Sequence, residues 1–137
     1  MVSIQQIAEQ LRDYLIADFP YIRISGGTTP EQLAKELMSI PEHSLPALII
    51  IADSAVYSQD GLNRELTLGV VLIDRFTANP DNRTVSAWSA METLQDLFTV
   101  HGTAIGDAVY IPQRFDAFRA DVNHAGYTLE LKVMHAI

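Results

Sequence analysis

The sequence predicts an α+β domain, a mostly antiparallel sheet with helices packed on one face. Three observations carry that reading. The apolar run Ala47-Leu48-Ile49-Ile50-Ile51-Ala52 is rich in β-branched residues and too short for a helix, so it reads as a central strand buried on both faces. Two segments, residues 4–17 and 84–98, repeat apolar residues at helical spacing. The final third alternates as a meander of short strands. Consecutive antiparallel strands with helices between them fit an α+β sandwich better than a doubly wound parallel sheet.

The elements follow in order. Ser3 and Gln6 form the signature of a capping box, and Ile4, Ile7, Ala8, Leu11, Tyr14 and Leu15 then recur on one helical face until Phe19-Pro20 ends the helix. Tyr21-Ile22-Arg23-Ile24 is a short β-rich run. After Gly26-Gly27, Thr29 supplies an N-cap, Pro30 the first helical position and Gln32 the return bond of a second helix that runs to about Met38. Pro41 and Pro46 bracket a loop before the strand at 47–52. Residues 53–63 are polar and read as a long exposed connection with its turn at Asp60-Gly61, and residues 65–76 form the antiparallel partner strand.

Beyond the loop at 78–82, a long helix begins near Thr84. Val85, Trp88, Met91, Leu94, Gln95 and Phe98 sit at helical spacing and Trp88 is expected in the core; His101-Gly102 closes the helix. Strands are then predicted at 109–111 and 115–122, with a tight turn at Asn123-His124-Ala125-Gly126 and a last strand carrying Tyr127, Leu129, Leu131 and Val133 on one face. The chain shows no internal repeat. Its 137 residues match one domain, which can bury about two-thirds of its unfolded surface without a disulfide or metal staple.

Composition restricts the chemistry. Cysteine is absent, which removes disulfides, thiolate metal sites and a cysteine nucleophile. The net charge is −8 and the nine basic residues are scattered, so no stripe gathers to neutralise phosphates and sequence-specific nucleic-acid binding is not expected. The N-terminus lacks the basic start and apolar stretch of a secretory signal, and no segment has the length of a membrane span; a cytoplasmic origin is the default.

Candidate catalytic features are weak. Ser25-Gly26-Gly27-Thr28-Thr29 has the strand-turn-helix form of an anion cradle, without the Lys-Ser/Thr ending of a P-loop or the spacing of a dinucleotide fingerprint. His43, His101, His124 and His135 fall in predicted loops or element ends without a partner at metal-ligand spacing, and read as surface or turn residues. Asp53-Ser54 and Asp74 read as strand-terminating polar groups, since no nucleophile elbow surrounds Ser54. Asp116 and Asp121 stand at odd spacing on one predicted strand, on opposite faces. No enzyme activity, cofactor or metal is expected.

A partner surface is the better expectation. Phe115 and Phe118 fall on opposite faces of one strand, which leaves one of them outside the main core. The 53–63 segment has little apolar area to bury, so a partner would offset the entropy of ordering it. The candidate interface is therefore Asp53, Ser54, Tyr57, Gln59, Asp60, Asn63 and Phe118.

Taken together, the helix at 4–17, the run Leu45-Pro46-Ala47-Leu48-Ile49-Ile50-Ile51-Ala52-Asp53, the strand at 66–74, the helix at 87–97 ending near Gly102 and the strand at 127–134 resemble the Mu-like phage tail proteins of the tail terminator, or tail completion, type. The likeness is one of element order and spacing across most of the chain, and the 29–38 helix and 58–64 loop depart from it. It implies a terminator-like α+β protomer that forms a ring, expected to be a hexamer, between the tail tube protein and the head-tail connector protein. It also implies a structural component of a virion tail, assembled in the host cytoplasm from a phage or prophage gene, with no catalytic residues to carry over. The alternatives are a phosphate-ligand-binding or enzymatic domain using the Gly26-Gly27 turn, and a monomeric adaptor module.

Overall fold

The first helix, α1 (Ile4–Leu15), starts where the sequence places it. The Gln6 amide donates to the Ser3 hydroxyl at 3.1 Å and the Ser3 amide donates to the Gln6 side-chain oxygen at 2.8 Å, which satisfies two of the N–H groups that a helix start leaves unpaired. Ile7, Ala8, Leu11 and Leu15 are buried at one-three-four spacing, one face of a helix. The structure is a computed structural model that describes residues 3–25, 30–75, 80–121 and 124–136.

After α1 come β1 (Ile22–Ile24), α2 (Pro30–Met38), a 3-10 turn at Glu42–Ser44, β2 (Ala47–Tyr57), β3 (Asn63–Arg75), α3 (Pro80–Asp96), β4 (Thr103–Ile105), β5 (Ala108–Asp121) and β6 (His124–Ala136). The architecture is α+β, with one curled, mostly antiparallel six-stranded sheet in the order β1-β2-β3-β6-β5-β4. Only β1 against β2 is parallel, with Ile22, Arg23 and Ile24 opposite Leu48, Ile49 and Ile50. α2 lies between these two strands in the chain, as a parallel pair requires a crossover connection.

Strand pleating sorts the core into two layers. On one face Leu48 and Ile50 of β2, Leu66, Leu68, Val70 and Leu72 of β3, and Leu129, Leu131 and Val133 of β6 meet α1 together with Leu94 and Phe98 from the C-terminal end of α3 and the residues just after it. On the other face Ile49, Val71 and Ile73 meet Leu33, Leu37 and Ile40. The expectation of helices on one face thus holds for α1 and α3, while α2 covers the reverse face of β2 and β3. A strand buried on both sides needs a cover on both sides.

Four further expectations are corrected. β2 does not stop at Ala52, because a bulge at Asp53 carries it on to Tyr57, so the long 53–63 connection is mostly strand. The strands predicted at 109–111 and 115–122 are one strand, β5, interrupted by a bulge between Pro112 and Arg114. His124, Ala125 and Gly126 belong to β6 and pair with β5, so no turn occupies 124–126. Trp88 is 54% exposed, since the buried face of the third helical segment is set by Ala90, Met91, Leu94, Leu97 and Phe98. At 100° per residue Trp88 points roughly 120° away from the middle of that face.

β4 is an element the sequence reading did not assign. It is joined to β5 by the two-residue turn Gly106-Asp107, where Gly106 takes a φ of +57°. Gln10 of α1 clamps this turn from both sides, donating to the Asp107 carboxylate at 2.7 Å and accepting from the Asp107 amide at 3.2 Å. A Cβ at position 106 would collide with the Gln10 side chain.

Tyr110 on β5 ties the layers together. Its hydroxyl donates to the Ile7 carbonyl at 3.2 Å, and its ring lies 6.5 Å from Phe98, which in turn lies 6.0 Å from Tyr14. Tyr14 donates to the Leu97 carbonyl at 2.7 Å. Burial pushes the Tyr110 phenol well above its ordinary pKa, so the folded protein holds this proton more tightly than the unfolded chain does. The neutral phenol's contribution is therefore complete below about pH 10 and is lost as pH rises beyond it. Urea melts of wild type and Tyr110→Phe should differ by about 1 kcal/mol at neutral pH, for the lost hydrogen bond. The difference should shrink above about pH 10; parallel pH profiles would contradict the burial of this hydroxyl.

Candidate partner interface

The β2–β3 hairpin ends in an exposed arm formed by the outer part of β2 and the turn, while its β3 strand stays paired with β6. Past the bulge, Ser54, Ala55, Val56 and Tyr57 pair with Thr67, Leu66, Glu65 and Arg64. Every residue from Ala52 to Asn63 is exposed. The arm is nevertheless ordered by its own hydrogen bonds: Ser58 and Asn63 close it with the Ser58 amide donating to the Asn63 carbonyl at 3.0 Å and the Asn63 amide donating to the Ser58 hydroxyl at 3.1 Å. The Asp60 carboxylate accepts from the Ser58 hydroxyl and from the Leu62 amide at 3.0 Å, and these bonds lower its pKa. Gly61 follows with a φ of +72°, completing the turn that Asp60-Gly61 predicts. The premise that this segment needs a partner to become ordered is therefore corrected.

Next to the turn the hairpin is tied to β6 by a buried polar pair. Arg64 and His135 face each other across β3 and β6, and the guanidinium Nε–H donates to His135 Nε2 at 2.8 Å. Accepting at Nε2 places the imidazole proton on Nδ1. His135 is thus a buried strand residue and not the surface histidine expected, and His124 is a half-buried strand residue. His43 and His101 are exposed as expected, with His43 edge-on to Tyr21 at 6.4 Å.

Six of the expected interface residues, Asp53, Ser54, Tyr57, Gln59, Asp60 and Asn63, are brought together on this arm. Phe118 is not among them. It sits on β5 opposite Gly126, at the far side of the sheet, and its side chain lies outside the described residues. Two exposed apolar residues beside Tyr57 on the arm escaped the sequence reading of the interface: Val56 and Leu62, at 61% and 64% exposure. Their signal was bulky apolar residues in an otherwise polar stretch.

No protein-family model matches the chain, and no curated protein matches it.

The arm also bares backbone. β1 pairs with β2 only as far as Ile50, and among the described residues no strand covers the outer edge of 54–57. The opposite edge of the sheet has the same property. β4 pairs with β5 only at Ala108, Val109 and Tyr110, which leaves the outer edge of 112–121 uncovered by any described strand. Pro112 lacks an N–H and is tolerated where a strand edge goes unpaired.

Beside that second edge lies a cavity of about 270 Å³ between the end of α3 and β5, walled by Phe98, Val100, Pro112, Phe115 and Leu129. Arg114 and the amides of Gln95 and Gln113 complete it. Arg114 makes an exposed ion pair with Asp116 at 2.6 Å, and the carboxylate raises its pKa.

The remaining candidates for chemistry stay dispersed. Gly26, Gly27, Thr28 and Thr29 lie outside the described residues. Asp53 is exposed in the bulge and does not end its strand, whereas Asp74 is buried beside a second cavity of about 420 Å³ with Asp18, Ser89 and Thr93. Asp116 and Asp121 pair with Thr128 and His124 across a bulge, so the odd-spacing argument for opposite faces does not hold. Among the described residues no group of three or more His, Asp or Glu is placed to hold a metal, and no helix is long and apolar enough to cross a membrane.

His135→Phe keeps the ring volume and removes the acceptor of the Arg64 guanidinium. The expected loss of stability in urea melts is about 1 to 3 kcal/mol; an unchanged midpoint would show that this pair does not anchor the arm.

Proposed function

We propose that this chain is a structural, ring-forming tail component of the phage tail terminator kind, which caps the tail tube and joins it to the head connector. The observation that carries the reading is a pair of strand edges, at opposite sides of one sheet, that no described strand covers. Bare N–H and C=O groups on an edge are a template for strand addition. One protomer here offers two such edges on different surfaces, the pattern of a head-to-tail contact that closes into a ring when the rotation between copies allows.

Strand directions support the same reading. β2 and β5 run antiparallel within the protomer, so placing the β2 edge of one copy against the β5 edge of the next continues the sheet with antiparallel pairing. The bare segments also lie at different heights. Ala55 is level with Leu66, Val133 and Tyr110, while the middle of the bare β5 edge is level with Thr128, about five residues or roughly 17 Å further along the strands. A stagger of that kind accompanies closure of a sheet into a barrel. The net charge of −8 suits a ring around a DNA channel, because it would repel the passing polyanion. The resemblance in element order supplies the tail assignment itself, with the tube protein and connector as partners.

Sedimentation velocity over a wide concentration range tests the reading. A closed ring gives one discrete oligomer that grows no further, and a monomer at every concentration overturns it. Val56→Lys places a charge on the bare edge. It should leave the far-UV spectrum and melting temperature nearly unchanged while shifting association to at least tenfold higher concentration, and loss of co-sedimentation with polymerised tail-tube protein should accompany that shift.

A further inference from the structure

We infer that the tip of the β2–β3 arm seats in the cavity beside β5 of the next copy, so that strand pairing and an apolar plug form one joint. This rests on the head-to-tail reading above and adds the register and the receptor. If residues 54–57 of one copy pair antiparallel with 115–118 of its neighbour, so that opposed side chains share a face, Tyr57 falls level with Phe115. The turn at 58–62 then overhangs Pro112 and the open end of β4. That is where Phe98, Val100, Pro112 and Phe115 wall the cavity. A register that the pleat allows thus brings the tip over these apolar walls.

Three further features suit the joint. Exposed apolar side chains gather at both halves, with Tyr57 and Leu62 on the tip and Val100 at the cavity rim. The segment from 53 to 63 carries Asp53 and Asp60 and no basic residue, whereas the only charged residue lining the cavity is Arg114. Arg114 makes an exposed pair with Asp116, the kind of ion pair that costs little to rearrange. The tip is also preordered by its own hydrogen bonds, so little entropy is lost when it docks.

The absence of cysteine makes the test direct. Leu62→Cys and Val100→Cys chains are prepared separately, mixed under mild oxidation and run on non-reducing gels, beside sedimentation of the wild type. The expected result is a disulfide dimer in the mixture and none in either variant alone, with a ladder from the double variant. Leu62→Asp should raise the concentration needed for association tenfold or more. An associating wild type whose Leu62→Cys chains link to one another, or whose mixture fails to link, overturns the tip-in-cavity joint and leaves the ring reading standing. A wild type that never associates overturns both.

Discussion

The structure depends on one long antiparallel pairing. β3 and β6 match through thirteen consecutive positions, from Asn63 opposite Ala136 to Arg75 opposite His124. Leu66, Leu68, Val70 and Leu72 and their partners Val133, Leu131, Leu129 and Tyr127 all lie on the face that α1 and the end of α3 cover. A slip of one residue would turn every one of these side chains to the other face, so the register is fixed by burial. With β3 fixed, Val71 and Ile73 necessarily present a second apolar surface, and α2 is the element that covers it.

The same pairing determines where the sheet is incomplete. Two strands of thirteen residues are flanked by β2 with eleven and β5 with fourteen, which in turn are flanked by β1 and β4 with three each. The outer strands are too short to cover their neighbours. Because β1 covers the start of β2 and β4 covers the start of β5, and these strands run antiparallel, the bare segments lie at diagonally opposite corners. Edge exposure is usually blunted by charge, proline or bulges. Here the bulges at Asp53 and at Gln113 stand at the start of each bare segment, so they re-aim the edges without closing them.

Much of the fold was legible because local chemistry and burial agree. Ser3 and Gln6 cap a helix whose apolar face is the one buried, and Ala47 to Ile50 are buried as an unbroken apolar run requires. The run also implied cover on both faces, which is in tension with helices gathered on one face. The reading failed where a strand has no buried side. Residues 53–57 are exposed throughout, so no alternation of apolar and polar residues marks them as strand, and they look like loop. β5 read as two strands because the bulge between Pro112 and Arg114 shifts the pleat midway. β4 has three residues, too few for a periodic signal, although the Gly106-Asp107 turn was a visible hairpin cue. Of the candidate interface, the arm was legible in its composition, while the cavity beside β5 is built from residues at the end of α3, on β5 and on β6 that are far apart in sequence.

The central claim is that the two bare edges become paired to each other when copies meet. Hydrogen-deuterium exchange measures this at the amides themselves. Dilute protein below the association range should exchange rapidly at both 54–57 and 115–118, and concentrated protein should gain protection at both segments together while Leu68 and Leu131 at the sheet centre stay protected throughout. Protection that appears at only one segment, or at neither while the protein associates, would contradict the account.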